Sequence, residues 1–241
     1  MMPKISIIIA TFNAAKTLQT ALDSISSLQM QDWECIIVDG ASKDETIEIV
    51  RRYANADSRF RYVSEPDKGI YDAFNKGWKM ARGEWIHYLG ADDRLTPDGF
   101  SELLKNVTDV PVVSGNVCLA HDDGTLKLNV SKGFGGCHQG KLVKRDLLMK
   151  FGGFNTAYRI LADKDLFMRM KNGNVPIKNV DVCVAHFALG GVSQNFDMLW
   201  ERTKENFRIY REDKNTRWPL LKTAYISVRS LLVIWKHKIH R

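Results

Sequence analysis

The chain has 241 residues, 44% hydrophobic and 26% charged, which suits one large domain, or one domain with an appendage, with a core that needs neither disulfides nor oligomerisation. Its net charge of +7 is unevenly placed: positions 196–241 hold 11 Lys/Arg against 5 Asp/Glu, leaving the first 195 residues almost neutral. A near-neutral body without helix-turn-helix, zinc or RNP-type motifs excludes a dedicated nucleic-acid binder, so no nucleic-acid partner is expected.

In chain order, Ile5 to Ala10 is a continuous apolar run of strand length, as for a strand buried on both faces, and too short for a signal-peptide core. Ala14, Leu18, Ala21, Leu22, Ile25 and Leu28 follow at helical spacing. Cys35 to Val38 reads as a second buried strand ending at Asp39-Gly40, and Ser42 with Glu45 reads as a capping box for a helix reaching Tyr53. Phe60 to Val63 is a third strand, Ile70 to Ala81 a helix, and Trp85 to Leu89 a fourth strand running into Gly90-Ala91-Asp92-Asp93. This alternation predicts a parallel sheet with helices on both faces, whose ligands bind beyond the carboxyl ends of the strands. Thr11, Asn13, Asp39, Glu65, Asp67, Asp92 and Asp93 are therefore expected along one rim.

The second half is less regular. Asp122-Asp123-Gly124 signals a hairpin turn between Val117-Leu119 and Leu126-Val130. Gly133 to Gly140 is a glycine-rich stretch around His138, Gly152-Gly153 ends a short helix from Asp146, and Asp163 to Asn172 is a helix. Gly190-Gly191 and Ser193 mark a further loop. Cys35, Cys118, Cys137 and Cys183 form no CxxC pair, so reduced structural thiols in a cytosolic protein, and no structural zinc, are expected.

Adjacent carboxylates at a buried strand end repel unless a cation or hydrogen-bond donors compensate. Asp92-Asp93 thus admits two readings: oxygen ligands for Mg²⁺ or Mn²⁺, or an Asp-Asp turn capping the helix that follows. The polar groups at the other strand ends favour the metal. A dinucleotide-dependent redox enzyme is disfavoured because Ala10 to Ala15 lacks the GxGxxG glycines.

The segments Ile7-Ile8-Ile9-Ala10-Thr11-Phe12-Asn13, Val38-Asp39-Gly40-Ala41-Ser42-Lys43-Asp44, Ser64 to Gly77, Ala81-Arg82-Gly83-Glu84-Trp85 and Leu89-Gly90-Ala91-Asp92-Asp93 resemble, in this order, family-two glycosyltransferases over about residues 4–195. The resemblance implies the GT-A fold, a Rossmann-like, mostly parallel sheet flanked by helices, here with a C-terminal helical extension over 196–241. It implies an inverting, metal-dependent hexosyltransferase that moves a sugar from a nucleoside diphosphate, UDP by preference, to a hydroxyl of a glycan or lipid-linked acceptor in cell-envelope polysaccharide synthesis. By the same resemblance, Thr11, Asn13, Asp39, Asp67, Lys68, Gly69 and Asp92 line the donor nucleotide, Asp93 holds the Mg²⁺ or Mn²⁺, and Asp163 is the base. Asp165 is the alternative base, and His138 and His186 are candidate donor or acceptor contacts. The family's first metal-motif acid is replaced near Gly90 or Ala91, and Ala162 stands where Glu precedes the base. A catalytically silent sugar-nucleotide binder on the same fold is the alternative.

The tail from Leu220 to Trp235 places apolar residues at helical spacing among Lys222, Arg229, Lys236, Lys238 and Arg241. It reads as an amphipathic basic helix too short in its apolar run to span a bilayer. Three partners are open: the anionic inner face of the plasma membrane, the domain itself, or a second copy in a homodimer.

Overall fold

The computed structural model describes residues 3–107, 110–120, 125–130, 133–188 and 196–239. Strands β1 (Ile5–Thr11), β2 (Trp33–Asp39), β3 (Phe60–Ser64) and β4 (Trp85–Gly90) alternate with helices α1 (Leu18–Ser26), α2 (Thr46–Ala56) and α3 (Ile70–Met80). Then follow β5 (Arg94–Leu95), α4 (Pro97–Lys105), β6 (Val112–Ala120), β7 (Leu126–Asn129), β8 (Lys141–Lys144), α5 (Arg145–Phe151), α6 (Ala162–Asn172), β9 (Lys178–Ala188), α7 (Leu199–Glu212) and α8 (Pro219–Ile239). One sheet runs β3-β2-β1-β4-β8-β6-β9-β5, with β7 paired to β6. The β3-β2-β1-β4 block is parallel as expected, whereas β8 joins β4 and β6 antiparallel. The expected hairpin forms between β6 and β7, and its turn residues lie outside the described residues.

The continuous apolar strands are buried on both faces because successive side chains point to opposite sides of the sheet. Ile5, Ile7 and Ile9 of β1 join Trp33, Cys35, Ile37, Leu22 and Phe100 in one core, while Ile8 joins Ile36, Val38, Phe74, Trp78 and Phe167 in another. Helices α1, α2 and α4 cover the first face, and α3, α5 and α6 the second.

Two local expectations change. The Ser42–Glu45 capping box does not form, because the Ser42 hydroxyl is drawn to Asp39 (2.5 Å). Asp44 instead accepts the Thr46 N–H (3.1 Å), and α2 begins there. The four cysteines are not all separate thiols either. Cys118 on β6 and Cys183 on β9 are joined in a disulfide, with Cα atoms 6.2 Å apart across 65 residues of sequence, a proximity created by pairing of the two strands.

The extension is tied to the domain through α7. Glu205 is 1% exposed, and its carboxylate accepts the N–H groups of Arg159 (2.6 Å), Ile160 (3.1 Å) and Leu161 (2.8 Å), the segment that leads directly into α6. Ile209 enters the second core, and the Lys164 ammonium donates to Asn206 and to the Tyr210 hydroxyl. Helix α8 lies on α7 through small polar groups, with Thr223 buried and Ser227 bonded to Thr203 (2.9 Å). Of its described apolar side chains, Leu220, Leu221, Tyr225, Val228 and Leu231 are exposed, as are Trp200 and Trp218 of the neighbouring segments. The domain therefore does not cover this face. Among the described residues no helix is long and apolar enough to cross a membrane.

Glu205→Ala should leave three backbone donors unpaired and lower stability by about 3 kcal/mol or more in urea unfolding, with a smaller loss in Glu205→Gln. A second expectation concerns His87, wholly buried on β4 against Phe100, with Nδ1 beside the Lys141 carbonyl (3.1 Å). Burial pushes its pKa down to about 4. A lowered folded pKa gives stability that is present above the ordinary histidine value and lost as pH falls from about 6.5 through about 4, on the order of 3 kcal/mol. Replacing His87 by Gln should flatten that acid limb of the thermal-unfolding profile.

Candidate active site

The carboxyl ends of the four parallel strands are in register: Thr11 opposite Asp39, Asp39 opposite Ser64, and Ala10 opposite Gly90. The expected rim exists, but it divides its carboxylates into two kinds. Asp39 is wholly buried and accepts four hydrogen bonds, from Thr11 Oγ1 (3.1 Å), Ser42 N (3.1 Å), Ser42 Oγ (2.5 Å) and Ser64 Oγ (2.6 Å). Burial works to raise its pKa, yet these donors hold it below the ordinary carboxylate range. With four donors on its carboxylate, Asp39 braces the loops together with Thr11. Asn13 does the same at the surface: its N–H donates to Ser42 Oγ and its Oδ1 accepts the Lys43 N–H, both at 2.8 Å.

Beside this brace, Phe12, Gly40 and Asp67 meet at a candidate binding groove. A Cβ at Gly40 would sit 2.7 Å from Asp67 Oδ2 and 3.3 Å from the Phe12 ring, so the glycine backbone lies close against both side chains. Phe12 is 64% exposed directly after the buried β1, a large aromatic that packing does not explain. It was missed in the sequence reading, where an aromatic amid Thr11 and Asn13 was the available signal. Asp67 Oδ1 accepts the Gly69 N–H (2.8 Å), leaving Oδ2 toward the groove, and the Lys68 N–H is held by Asp72 (3.1 Å).

The acidic pair splits the same way. Asp93 is 2% exposed. Its Oδ2 accepts from Gln139 Nε2 (2.7 Å) and Gly90 N (3.1 Å), and its Oδ1 from Ala188 N (2.9 Å). Burial, and then the Asp92 charge, hold its carboxyl above the ordinary range. Asp92 is exposed. A Cβ at Gly90 would fall 2.8 Å from Asp92 Oδ1 and 2.5 Å from Asp93 Oδ2, so the two acids occupy the space of the missing first acid. The expectation placed the ion on Asp93, but the carboxylate free to meet one is that of Asp92.

Asp163 stands in the first turn of α6, accepting from the Tyr71 hydroxyl (3.1 Å) and the Lys164 N–H (2.7 Å), with His138 Nδ1 3.2 Å from its other oxygen. Burial acts to raise its pKa, but His138, the Lys164 N–H and Tyr71 together hold it below the ordinary range. Its side chain keeps 17% exposure. Asp165, in contrast, is 4% exposed and ion-paired with Arg169 (2.8 Å), which also bonds the Phe151 and Gly153 carbonyls. That pair staples the Gly152-Gly153 turn and removes Asp165 from the list of bases.

The single turn His138–Gly140 connects the two acidic centres: His138 bonds Asp163, and the next residue, Gln139, bonds Asp93. The buried Lys141 ammonium secures this loop through the Gly135 carbonyl (2.7 Å) and Ser114 Oγ (3.1 Å). Tyr71, at the start of α3, reaches both the Ile160 carbonyl (2.7 Å) and Asp163, linking the segment after Asp67 to the first turn of α6. His186 lies on β9, opposite Arg94 of β5 and Cys118 of β6, beside the disulfide. Gly190 to Ser193 lie outside the described residues.

Comparison with known proteins agrees with this geometry. A PGL/p-HBAD biosynthesis glycosyltransferase of Mycobacterium tuberculosis is 34% identical over 209 residues, 79% of each chain. The chain superposes on S. aureus TarS 1–349 in complex with UDP-GlcNAc at TM-score 0.74 and 18% identity, covering 95% of this chain and 71% of that one. It superposes on the mannosyltransferase PcManGT of Pyrobaculum calidifontis, in complex with GDP-Man and Mn²⁺, at TM-score 0.72 and 18% identity, covering 100% and 76%. These likenesses show the GT-A fold. The model of glycosyl transferase family 2 matches residues 6–167, and the chain belongs to that family of glycosyltransferases.

Proposed function

We propose that this chain transfers a hexose from a UDP-sugar to a hydroxyl of a lipid-linked or glycan acceptor, with inversion at the anomeric carbon. The observation that carries the reading is the continuity of the site. The groove of Phe12, Gly40 and Asp67, the Asp92-Asp93 pair and Asp163 are joined by Tyr71 and by the His138-Gln139 turn. In this reading the Phe12 ring stacks on the base. Asp67 has one oxygen engaged by Gly69 and the other open to accept an N–H such as that of a uracil imide.

Asp92 supplies the oxygen ligand for Mg²⁺ or Mn²⁺, a hard-ion donor of the right chemistry, with Asp93 holding the turn beneath it. Such an ion, when bound, neutralises the departing diphosphate. Asp163 takes the acceptor's proton as the hydroxyl attacks. Its lowered pKa keeps it ionised at neutral pH, and His138 and Tyr71 fix its two oxygens.

Asp163→Asn should retain UDP binding while turnover falls by roughly 10²- to 10⁴-fold. Asp92→Asn should abolish the Mn²⁺-dependent part of UDP stabilisation in thermal shift without changing the stability of the ligand-free chain. Phe12→Ala should weaken UDP by about 1–3 kcal/mol. Full activity in Asp163→Asn, or unchanged Mn²⁺ dependence in Asp92→Asn, would overturn these roles.

The outward apolar face of α8 fits an anionic membrane surface that presents the acceptor. Exposed Leu220, Leu221, Tyr225 and Val228 lie with Trp200 and Trp218, and Lys204 and Arg217 stand over those two indoles. In flotation, the full chain should bind vesicles containing phosphatidylglycerol more strongly than neutral ones, with binding weakened by salt. Leu221→Glu with Tyr225→Glu should abolish it. A salt-resistant dimer with no vesicle binding would instead assign the face to a second copy.

A further inference from the structure

Apart from the donor groove and the base, a second cluster of ligating atoms lies where β9 meets β6. The Cys118 and Cys183 sulfurs and one imidazole nitrogen of His186 lie within 4.8 Å of one another. The cluster is assembled by the fold: Cys118 pairs directly with His186 across the parallel strands, and Cys183 lies on the same strand three residues earlier. His186 Nδ1 is buried and has no hydrogen-bond partner among the described residues. A buried imidazole nitrogen without a partner is costly in a purely structural role, and an imidazole beside two sulfurs makes a three-membered ligand set.

We propose that, once the Cys118–Cys183 bond is reduced, Cys118, Cys183 and His186 bind one soft divalent transition-metal ion of the zinc class. Reduction takes two electrons from a thiol reductant: two reductant thiols become one disulfide, and the S–S bond becomes two cysteine thiols. Metal binding then forms two metal–sulfur bonds and one metal–nitrogen bond and releases both thiol protons. Zinc–sulfur bonds of about 2.3 Å require the sulfurs to move apart to roughly 4 Å, within reach of side-chain rotation at these positions. Three protein ligands leave a fourth position for water. The disulfide and the ion are mutually exclusive, since each uses the same two sulfurs.

Cys183 lines an open cleft of about 670 Å³ beside α4, which gives ions and reductants a route in. The preferences of the two sites are separate: sulfur and imidazole select soft ions, and the carboxylate of Asp92 selects hard ones. Two residues beyond His186, the Ala188 N–H holds Asp93 Oδ1 (2.9 Å). Either occupant thus fastens β9 to β6 next to the acidic pair.

The test is a Co²⁺ titration of the reduced, metal-free full chain. One equivalent should produce a thiolate-to-cobalt charge-transfer band that Zn²⁺ displaces and that prior oxidation of the chain prevents. Cys118→Ser, Cys183→Ser and His186→Gln should each lose the band, while Cys35→Ser and Asp92→Asn keep it. Alkylation of the unsubstituted chain gives an answer that does not depend on any variant folding: Zn²⁺ should protect Cys118 and Cys183 from iodoacetamide. Absence of the band and of protection in the reduced chain, or a full band in Cys118→Ser, would overturn the assignment. Loss of the band in Asp92→Asn would show that the ion is not held by this cluster alone and would equally end the proposal.

Discussion

A carboxylate removed from water has to find donors or a cation, and much of this structure follows from how that requirement is met. Asp39, Asp93, Asp163 and Glu205 each accept hydrogen bonds from segments distant in sequence. At the opposite end of the sheet, Glu34 receives Ser6 Oγ, the Arg82 N–H and Arg61 in the same manner. Each buried acid is a knot that fixes loops no hydrophobic contact could orient. The rim owes its definition to these knots, because the loops there carry few apolar side chains of their own.

The same requirement separates bracing from binding. Wherever an acid has all its oxygens satisfied from within, a neighbour is left to face outward: Asp39 braces while Asp67 and Phe12 flank the groove, and Asp93 braces while Asp92 is exposed. Asp163 is intermediate, supported on both oxygens yet still partly exposed, as the role of base proposed for it requires.

The C-terminal segment combines two physical characters. Helix α7 belongs to the domain, since Glu205 and Lys164 bind it to the approach and first turn of α6, the helix that carries Asp163. Helix α8 inverts the usual arrangement, turning Thr223 and Ser227 inward and Leu220, Leu221 and Leu231 outward. Charge and periodicity showed an amphipathic basic helix, but not which side would meet the protein. That depended on what α7 offers it, which is the polar Thr203.

Local chemistry was enough to read the strands and helices of the first half. Uninterrupted Ile and Val runs can be satisfied only between two covering layers, and Gly40, Asp67 and Asp92-Asp93 must then follow the strand ends. The resemblance of the motifs to family two added the function. What remained hidden was the state of each polar group, because a hydrogen bond between residues 28 or 95 positions apart leaves no periodic trace. Thus Ser42 appeared to cap a helix until Asp39 claimed it, Asp165 appeared available until Arg169 paired with it, and Asp93 could not be told from Asp92. Cys118, Cys183 and His186 likewise became neighbours only when β6 and β9 aligned. Burial of one polar group and exposure of the next depends on the whole packed surface around them, and that exists only in three dimensions.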